Sequence, residues 1–376
     1  MNCPARDGLA TGGGRAGQGG QWIGEGSRRV RLARLYGVRD VRLDEEPAPV
    51  AAAGSSLVRV TAVGLCGSDL HWYAEAGIGD AVLGRPLVLG HEFAGVISGG
   101  PRDGERVAVD PAMPCEHCAT CRTGHRNLCP TVRFAGHGDV DGALREYLTW
   151  PTRLLVPLPS ELSDVDGALL EPLGVALHAV GLAKPRPGLT VAVLGCGPIG
   201  LLLIQLARAA GAAAVLATDP LAHRRAAAER AGADVVRDPA GPMAAIGAAA
   251  AELARVALGP AAAPGVDVAF EVAGTDDAVH AAMVAARPGG KVLLVGIPDG
   301  DTTTFPASVA RRKGLTVLLS RRMDDTYPRA IRLVRRGAVD LAGLVSACYP
   351  LAETDAAFTA AASRDGLKIV VQPSGA

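Results

Sequence analysis

Residues 64–95 of this 376-residue chain concentrate side chains that could hold a metal ion and move protons. Cys66, His91 and Glu92 offer a thiol, an imidazole and a carboxylate, which are donor types that bind zinc. Ser68 and His71 add a hydroxyl and a second imidazole close to the thiol. Zinc lowers the pKa of a bound oxygen, so such a centre suits work on alcohols and carbonyls. Taken alone, the same residues also fit a buried cysteine and a hydrogen-bonded histidine without a metal.

A second set of possible ligands lies in one short segment and consists of Cys115, Cys118, Cys121 and Cys129. Four thiolates at this spacing can close around a tetrahedral zinc with no open position, which predicts a structural site. Grouped cysteines favour a metal over a disulfide framework and therefore a reducing, cytoplasmic location. Free thiols are one alternative. A zinc ribbon for nucleic acid is another, which the lack of a basic, aromatic-rich face disfavours.

A glycine-rich turn stands between an apolar stretch at 191–194 and an alanine-rich apolar run at 201–210. It contains Gly195, Gly197, Pro198, Ile199 and Gly200 in the G-x-G-x-x-G spacing. Between a strand and a helix, this spacing predicts a dinucleotide site. The first two glycines let the backbone approach a pyrophosphate at the helix N-terminus, and the third permits close helix packing.

The predicted strand 214–218 ends in Asp219, at the distance from the glycines where a ribose-binding carboxylate is expected. A carboxylate there can accept both ribose hydroxyls and would repel a 2′-phosphate, which favours NAD over NADP. Arg224 and Arg225 are the residues that point the other way.

Length and composition constrain the kind of fold that positions these groups. A chain of 376 residues exceeds one ordinary core, so we expect two domains. Lys and Arg equal Asp and Glu at 38 each, which leaves no electrostatic argument for nucleic acid or a membrane surface. No apolar run is long enough for a transmembrane span. Residues 1–28 are glycine-rich, and we interpret them as a disordered or mis-annotated extension rather than a secretory signal.

Hydrophobic patterning divides the chain into two parts that differ in predicted secondary structure. Residues 29–43 predict a strand pair around Gly37, and with residues 57–63 they suggest the edges of a small antiparallel sheet; 107–110 is a further strand. From residue 190, strands alternate with helices, which implies a doubly wound parallel α/β sheet. Its predicted elements are strands 191–194, 214–218, 266–272 and 291–295 and helices 201–210 and 277–286. Residues 240–258 predict a pair of surface helices, and past residue 316 the alternation lapses.

The two possible zinc sites and the glycine turn together resemble those of the zinc-dependent medium-chain alcohol dehydrogenases. The resemblance covers nearly all of the chain from about Arg29. The closest likeness is to the sorbitol (L-iditol) dehydrogenase branch of polyol dehydrogenases. Four segments carry it: CGSDLHWY at 66–73, GHE at 90–92, LEPLGVALH at 170–178 and RMDDTYP at 322–328.

The resemblance implies a GroES-like, partly β-barrel catalytic domain at 29–174 and 318–376, with a zinc lobe at 111–130. It implies a Rossmann NAD-binding domain at 175–317, an active site in the cleft between the two, and a homotetramer or homodimer. The reaction implied is hydride transfer from a secondary alcohol of a small polyol, of the sorbitol, L-iditol or xylitol type, to NAD. Two zinc ions per chain are implied, one catalytic and one structural.

The resemblance also assigns roles to single residues. Cys66, His91 and Glu92 would be catalytic zinc ligands, and Glu171 the further carboxylate that holds zinc directly or through water. Ser68 and His71 would form the proton relay. Phe134 and Arg322 align with substrate-pocket positions, and Arg224, Val295 and Ile297 with cofactor contacts.

Two departures bear on the substrate. The chain between Ile97 and Arg106 is shorter than the usual loop, a feature also associated with L-idonate dehydrogenases. Trp72 and Met323 stand where sorbitol enzymes tend to carry tyrosines. The alternatives are therefore a sugar-acid dehydrogenase of the L-idonate type, with Arg322 as the fixed cation, or a threonine-type dehydrogenase. From another class, the alternative is a non-catalytic protein that binds NAD and zinc.

Overall fold

The structure is a computed structural model that describes residues 29–298, 300 and 302–374. The extension interpreted from residues 1–28 lies outside the described residues.

The described strands are β1 (Arg29–Gly37), β2 (Asp40–Pro47), β3 (Ser55–Gly64), β4 (Gly77–Ile78), β5 (Ala81–Val82), β6 (Leu87–Val88), β7 (Glu92–Ile97), β8 (Arg106–Val109), β9 (Ala112–Met113), β10 (Arg133–Phe134), β11 (Tyr147–Pro151), β12 (Leu155–Pro157), β13 (Thr190–Leu194), β14 (Ala214–Thr218), β15 (Val235–Arg237), β16 (Val266–Glu271), β17 (Ala286–Leu294), β18 (Thr316–Leu319), β19 (Val345–Pro350) and β20 (Lys368–Gln372). The helices are α1 (Gly67–Glu75), α2 (Ala119–Arg122), α3 (Asp164–Ala183), α4 (Pro198–Ala209), α5 (Ala222–Arg230), α6 (Met243–Leu258), α7 (Asp276–Ala285), α8 (Ala307–Lys313), α9 (Tyr327–Arg335) and α10 (Thr354–Ser363).

One large sheet has seven strands in the order β12-β8-β7-β3-β20-β19, with β11 also paired to β3. Its strands come from both ends of the described chain, because β20 pairs antiparallel with β3 across the whole intervening sequence. The predicted strand pair around Gly37 is confirmed as β1 and β2, which with β6 form a separate three-stranded sheet. The expectation that β3 is an edge strand was wrong, since β3 has three partners.

The second large sheet has six parallel strands in the order β15-β14-β13-β16-β17-β18, which is the doubly wound arrangement predicted from the alternation of strands and helices. Every residue of β13, β14 and β16 is buried, as expected where helices cover both faces. Two details differ from expectation. Residues 243–258 form one helix with Ile246 and Leu253 buried, and the sheet continues past residue 316 as β18. The fold class is therefore α/β, with a doubly wound parallel sheet beside a second large, mostly antiparallel sheet.

Helix α3 connects the two sheets, since it packs on β3, β7 and β8 of one and on α4 and α9 beside the other. It is the helix among the described residues that is long and apolar enough to cross a membrane, and 67% of its apolar window is buried inside the protein, as in a core helix. The predicted domain boundaries at 174/175 and 317/318 fall inside α3 and β18, and the division itself stays a prediction.

The start of α3 is fixed by a reciprocal cap. Ser163 Oγ accepts a hydrogen bond from the Asp166 backbone N–H at 3.0 Å, and the Asp166 carboxylate accepts one from the Ser163 N–H at 2.9 Å. The next residue, Gly167, faces β7 so closely that a Cβ there would lie 2.9 Å from Cβ of Ala94. Gly181, at the other end of the helix, has nothing near its Cβ position.

We predict opposite effects of the same substitution at these two glycines. Gly167→Ala should lower the free energy of unfolding by about 1–3 kcal/mol, because the added methyl overpacks the contact with β7. Gly181→Ala should raise it by about 0.5–1 kcal/mol, because alanine loses less conformational entropy in an open helical position. Urea unfolding of both variants measures this. Equal stability of the two variants would contradict the close contact between α3 and β7.

Candidate active site

The pairing of β3 with β7 brings the first group of possible ligands together. Gly64 and Glu92 are direct partners in this antiparallel pair, and Cys66 follows β3 at the start of α1. One ligand atom from each of Cys66, His91 and Glu92 lies within 4.8 Å of the others. A Cβ at Gly64 would collide with the Glu92 carboxylate, so the glycine makes room for that side chain.

Asp69 contacts and orients the residues of this cluster, a role that the sequence did not reveal. Its buried carboxylate accepts hydrogen bonds from the backbone N–H groups of Cys66 at 2.9 Å and Gly90 at 3.2 Å, and lies 3.4 Å from Nδ1 of His91. Burial alone would raise the pKa of Asp69, but the His91 imidazole and the two N–H donors lower it overall. Burial would likewise lower the pKa of His91, but the charges of Asp69 and Cys66 raise it. The carboxylate therefore leaves Nε2 of His91 available to a metal.

Lys368 supplies the positive charge opposite Glu92. Its ammonium donates to both carboxylate oxygens of Glu92, at 2.9 and 2.8 Å, and to the Leu65 carbonyl at 2.9 Å. Lys368 is 3% and Glu92 1% exposed, so this is a fully buried ion pair. Removing one partner of such a pair leaves an uncompensated buried charge, which is costly.

Glu171 lies on α3, buried, and outside the 4.8 Å cluster formed by the other three candidate ligands. Burial raises the pKa of Glu171 to about 7, with the charge of His91 opposing and that of Glu92 adding to the shift. The structure therefore places this carboxyl group close enough to interact electrostatically with the cluster.

The predicted relay residues share one face of α1, three positions apart. Ser68 Oγ lies 3.5 Å from Nε2 of His91, beside the ligand cluster. His71 is partly buried, and its Nδ1 lies 3.5 Å from the Glu75 carboxylate. The order from the cluster outwards is thus hydroxyl, then imidazole, then an exposed acid.

Phe134 and Arg322 form a wall next to the cluster. The Phe134 ring centroid lies 5.2 Å from that of His91, and the Arg322 guanidinium carbon lies 4.1 Å from the Phe134 centroid. Nη1 of Arg322 is buried without a hydrogen-bond partner, and burial, with the neighbouring Arg321, lowers the pKa of Arg322 to about 10. Trp72 and Met323 are both buried; Trp72 meets the ring of His137 edge-on at 5.6 Å.

The four cysteines of the second group converge as predicted from their spacing. The sulfurs of Cys115, Cys118, Cys121 and Cys129 all lie within 4.8 Å of one another. Backbone N–H groups point at them: Cys121 N–H at Cys118 Sγ and Cys115 N–H at Cys129 Sγ, both at 3.4 Å. Backbone N–H groups of His117 and Cys118 lower the pKa of Cys115 to about 6, which favours a thiolate. We call residues 115–129 the cysteine lobe.

The glycine turn joins β13 to α4. Gly195 has φ +108°, which glycine adopts readily. A Cβ at Gly200 would collide with the Gly195 carbonyl, so the third glycine is what lets helix and turn approach. Gly197 is the N-cap of α4, and Pro198 is its first residue, without a side-chain cap on the free N–H groups. Such a helix N-terminus suits a phosphate.

Asp219 follows β14 and is buried. Its two oxygens accept hydrogen bonds from the N–H groups of Cys196 at 2.8 Å and Leu221 at 2.9 Å. Nη1 of Arg224 lies 3.8 Å from where a Cβ at Gly197 would be. Val295 and Ile297 follow β17, at the same carboxyl edge of the sheet, where ligands of doubly wound sheets bind.

Both metal positions pass a chemical test of fit. Zinc is a borderline-soft ion that accepts thiolate, imidazole and carboxylate ligands together, and the four sulfurs form a closed set. The dinucleotide position has a helix N-terminus without a side-chain cap, next to a turn in which Gly195 and Gly197 carry no side chain. Two residues that order the cluster escaped prediction: Asp69 and Lys368. For Lys368 the signal was a lone charge at the start of an apolar strand.

Comparison with known proteins agrees with this geometry. Residues 52–160 match the model of the alcohol dehydrogenase GroES-like domain, and residues 198–336 match that of the zinc-binding dehydrogenases. Sorbitol dehydrogenase of Bacillus subtilis is 34% identical over 92% of this chain and 98% of its own length.

Solved structures are similar over the same extent. L-Idonate 5-dehydrogenase of Escherichia coli superposes with a TM-score of 0.83 at 28% identity, covering 92% of this chain and 99% of that one. A protein of Sinorhizobium meliloti described as a zinc-binding dehydrogenase, bound to NADP, gives 0.82 at 32% identity, covering 92% of this chain and all of that one (100%). The chain therefore belongs to the zinc-dependent medium-chain alcohol dehydrogenases and is a zinc- and nicotinamide-dependent oxidoreductase of their sorbitol dehydrogenase-like branch.

Proposed function

We propose that this enzyme oxidises a secondary alcohol of a polyol, of the sorbitol, L-iditol or xylitol type, with NAD and forms a ketose. The observation that carries the proposal is the convergence of Cys66, His91 and Glu92 with Ser68 beside them. A protein that only binds cofactors has no physical need for a hydroxyl and a second imidazole next to an open ligand set. The sorbitol dehydrogenase of B. subtilis supplies the substrate class.

The residues of this chain divide the work. Cys66, His91 and Glu92, with Glu171 as a further carboxylate, would hold the catalytic zinc. Zinc, when bound, supplies a Lewis acid that lowers the pKa of an alcohol oxygen, and NAD supplies the hydride acceptor.

Ser68 takes the proton of the substrate hydroxyl and passes it to His71, from which it reaches solvent at the exposed end of α1. Phe134 and Arg322 orient the carbon chain, since the guanidinium above the ring offers donors to hydroxyl oxygens. Asp69 holds the His91 ring through Nδ1, so that Nε2 stays available to a metal.

NAD is the cofactor we propose, held at the turn that contains Gly195 and Gly197, with Asp219 at the ribose and Arg224, Val295 and Ile297 around it. The buried negative charge of Asp219 at the end of β14 supports this choice, because it opposes a 2′-phosphate. The NADP bound to the S. meliloti protein makes the choice worth measuring.

A second candidate is a sugar acid as the substrate. The observation that favours it is the Arg322 guanidinium, whose Nη1 is buried without a hydrogen-bond partner and which lies over Phe134, the ring beside His91. A substrate carboxylate would provide the missing partner. The structural similarity to L-idonate 5-dehydrogenase points the same way.

We further propose that the enzyme is a homo-oligomer in the reducing cytoplasm. Strand β18 is one of the two edge strands of the parallel sheet, and Leu319 at its end is 77% exposed. An exposed apolar strand edge is a site for pairing with another chain. The cysteines of the lobe form no disulfide bonds, and a reducing compartment keeps thiolates available to a metal.

The test of the proposed function is NADH formation by purified enzyme with sorbitol, xylitol, L-iditol, ribitol, L-idonate and L-threonine, each with and without a zinc chelator. Chelator-sensitive turnover of a polyol supports the proposal. Turnover of L-idonate alone moves the assignment to the second candidate. No turnover with any of them, in protein that carries zinc only in the cysteine lobe, would favour a non-catalytic role.

Cys66→Ser should abolish activity and reduce bound zinc from about two ions per chain to about one, because the softest donor of the catalytic set is lost. Affinity for NAD should stay within about twofold, since Cys66 follows β3 of one large sheet and the glycine turn follows β13 of the other. Metal analysis, steady-state rates and NAD titration measure the three quantities. Substantial turnover in this variant would refute the ligand assignment.

Asp219→Ala should relax the preference for NAD over NADP by at least about tenfold in kcat/KM, since it removes the charge that repels a 2′-phosphate. The matched control is Asp238→Ala, which removes a nearby exposed carboxylate that pairs with Arg225. Rates with both cofactors test this. An unchanged ratio in Asp219→Ala, or the same change in the control, would contradict a ribose role for Asp219.

A further inference from the structure

Asn127 belongs to the cysteine lobe but makes its hydrogen bonds outside it. Its Nδ2 donates to the Arg321 carbonyl at 2.8 Å and lies 3.3 Å from Nε2 of His178. An amide nitrogen carries two hydrogens and can serve both acceptors. The residue is 3% exposed, so these bonds are made away from water.

The two acceptors belong to elements that carry active-site residues. His178 lies on α3, seven residues after Glu171, which is two helical turns. Burial lowers the pKa of His178, which favours the neutral imidazole, the form that has one ring nitrogen able to accept a hydrogen bond. Arg321 lies directly before Arg322, which stands over Phe134. Asn127 therefore joins the lobe, α3 and the segment of Arg322 at one point.

That segment, residues 320–326, is here called the substrate loop; it links β18 to α9. Two of its non-glycine residues have left-handed backbone angles, Arg322 at φ +54° and Asp325 at φ +46°. Such conformations are strained for residues with a Cβ and persist only where surrounding contacts impose them. The bond from Asn127 falls on the peptide unit immediately before the first of these residues.

Other contacts act on the same loop. Met323 and Thr326 pack against α3 at Gly174, where a Cβ would collide with both side chains. The Arg126 guanidinium lies 3.6 Å from the Asp324 carboxylate and 4.0 Å from that of Asp325. These pairs are partly exposed and therefore weaker than the buried amide bond.

We propose that Asn127 is a positioning residue for substrate recognition: it holds the substrate loop on α3 so that Arg322 stays over Phe134, beside His91. The cysteine lobe thereby acts on the substrate pocket as well as on stability. This inference rests on the proposed function for the identity of the substrate, but the position of the loop is a separate claim.

The first test compares Asn127→Ala with Thr123→Ala, using the best substrate from the panel. Thr123 hydrogen-bonds only within the lobe, to the Ala119 and Thr120 carbonyls, so it is the matched control. Asn127→Ala should raise KM about tenfold with kcat within about twofold, the pattern of lost ground-state binding. The control should leave both constants unchanged. A fall in kcat with KM unchanged, or equal effects in both variants, would overturn the proposal.

A double-mutant cycle with Arg322→Ala decides whether Asn127 acts through Arg322. In the Arg322→Ala background, adding Asn127→Ala should change KM by less than about twofold, because residues that act together are not additive. A further tenfold rise in that background would show that Asn127 acts elsewhere and would overturn the proposal.

Limited trypsin digestion gives a readout that does not need activity. The loop contains Arg321 and Arg322, so opening it exposes cleavable bonds, and cleavage tracks the opened population. Asn127→Ala should be cut there at least about fivefold faster than wild type and Thr123→Ala at the wild-type rate, as judged by mass spectrometry. Unchanged cleavage in Asn127→Ala would overturn the loop claim even if no panel substrate is turned over.

If Asn127→Ala fails to fold, Arg126→Gln replaces it. This residue is partly exposed, and its loss leaves no buried group unpaired. Arg126→Gln should raise KM about two- to threefold and increase cleavage after Arg321 in the same direction. No change in either quantity would overturn the proposal.

Discussion

The register of β3 against β7 is the constraint on which the site depends. With Gly64 opposite Glu92, the end of β3 delivers Cys66 and the start of β7 delivers His91 and Glu92 to one point. A slip by one residue would turn the Glu92 carboxylate to the other face of the sheet. The register is therefore enforced from both sides: Asp69 binds backbone N–H groups of both segments, and Lys368 neutralises Glu92.

The two groups of ligands differ in what the rest of the fold does for them. The cysteine lobe gathers its four sulfurs from fifteen consecutive residues and orients them with its own N–H groups. The catalytic cluster draws on β3, β7 and α3, with its charge balanced by β20. A closed site can thus be local, whereas an open site needs support from distant parts of the chain.

This difference explains how much the sequence could predict. The lobe, the glycine turn and the strand-helix alternation are short-range patterns, and the structure agrees with them at Cys115 to Cys129 and at Gly195 to Gly200. The central position of β3 and the partners Lys368 and Asn127 were not predicted. The partners of Lys368 and Asn127 lie 276 and 194 residues away in sequence, and β3 pairs with β20 near the other end of the described chain, so a local pattern cannot identify these pairings. The prediction of two surface helices at 240–258 was wrong, because a run of alanines does not indicate which face of a helix is buried.

The buried pair of Glu92 and Lys368 also sets an order of events during synthesis. The two residues are 276 positions apart, and the entire parallel sheet lies between them in sequence. Because a chain is made from its N-terminus, every strand of the parallel sheet is synthesised while Glu92 still lacks its partner. The part of the chain that would hold a dinucleotide is therefore made before the place where alcohols would react can be completed.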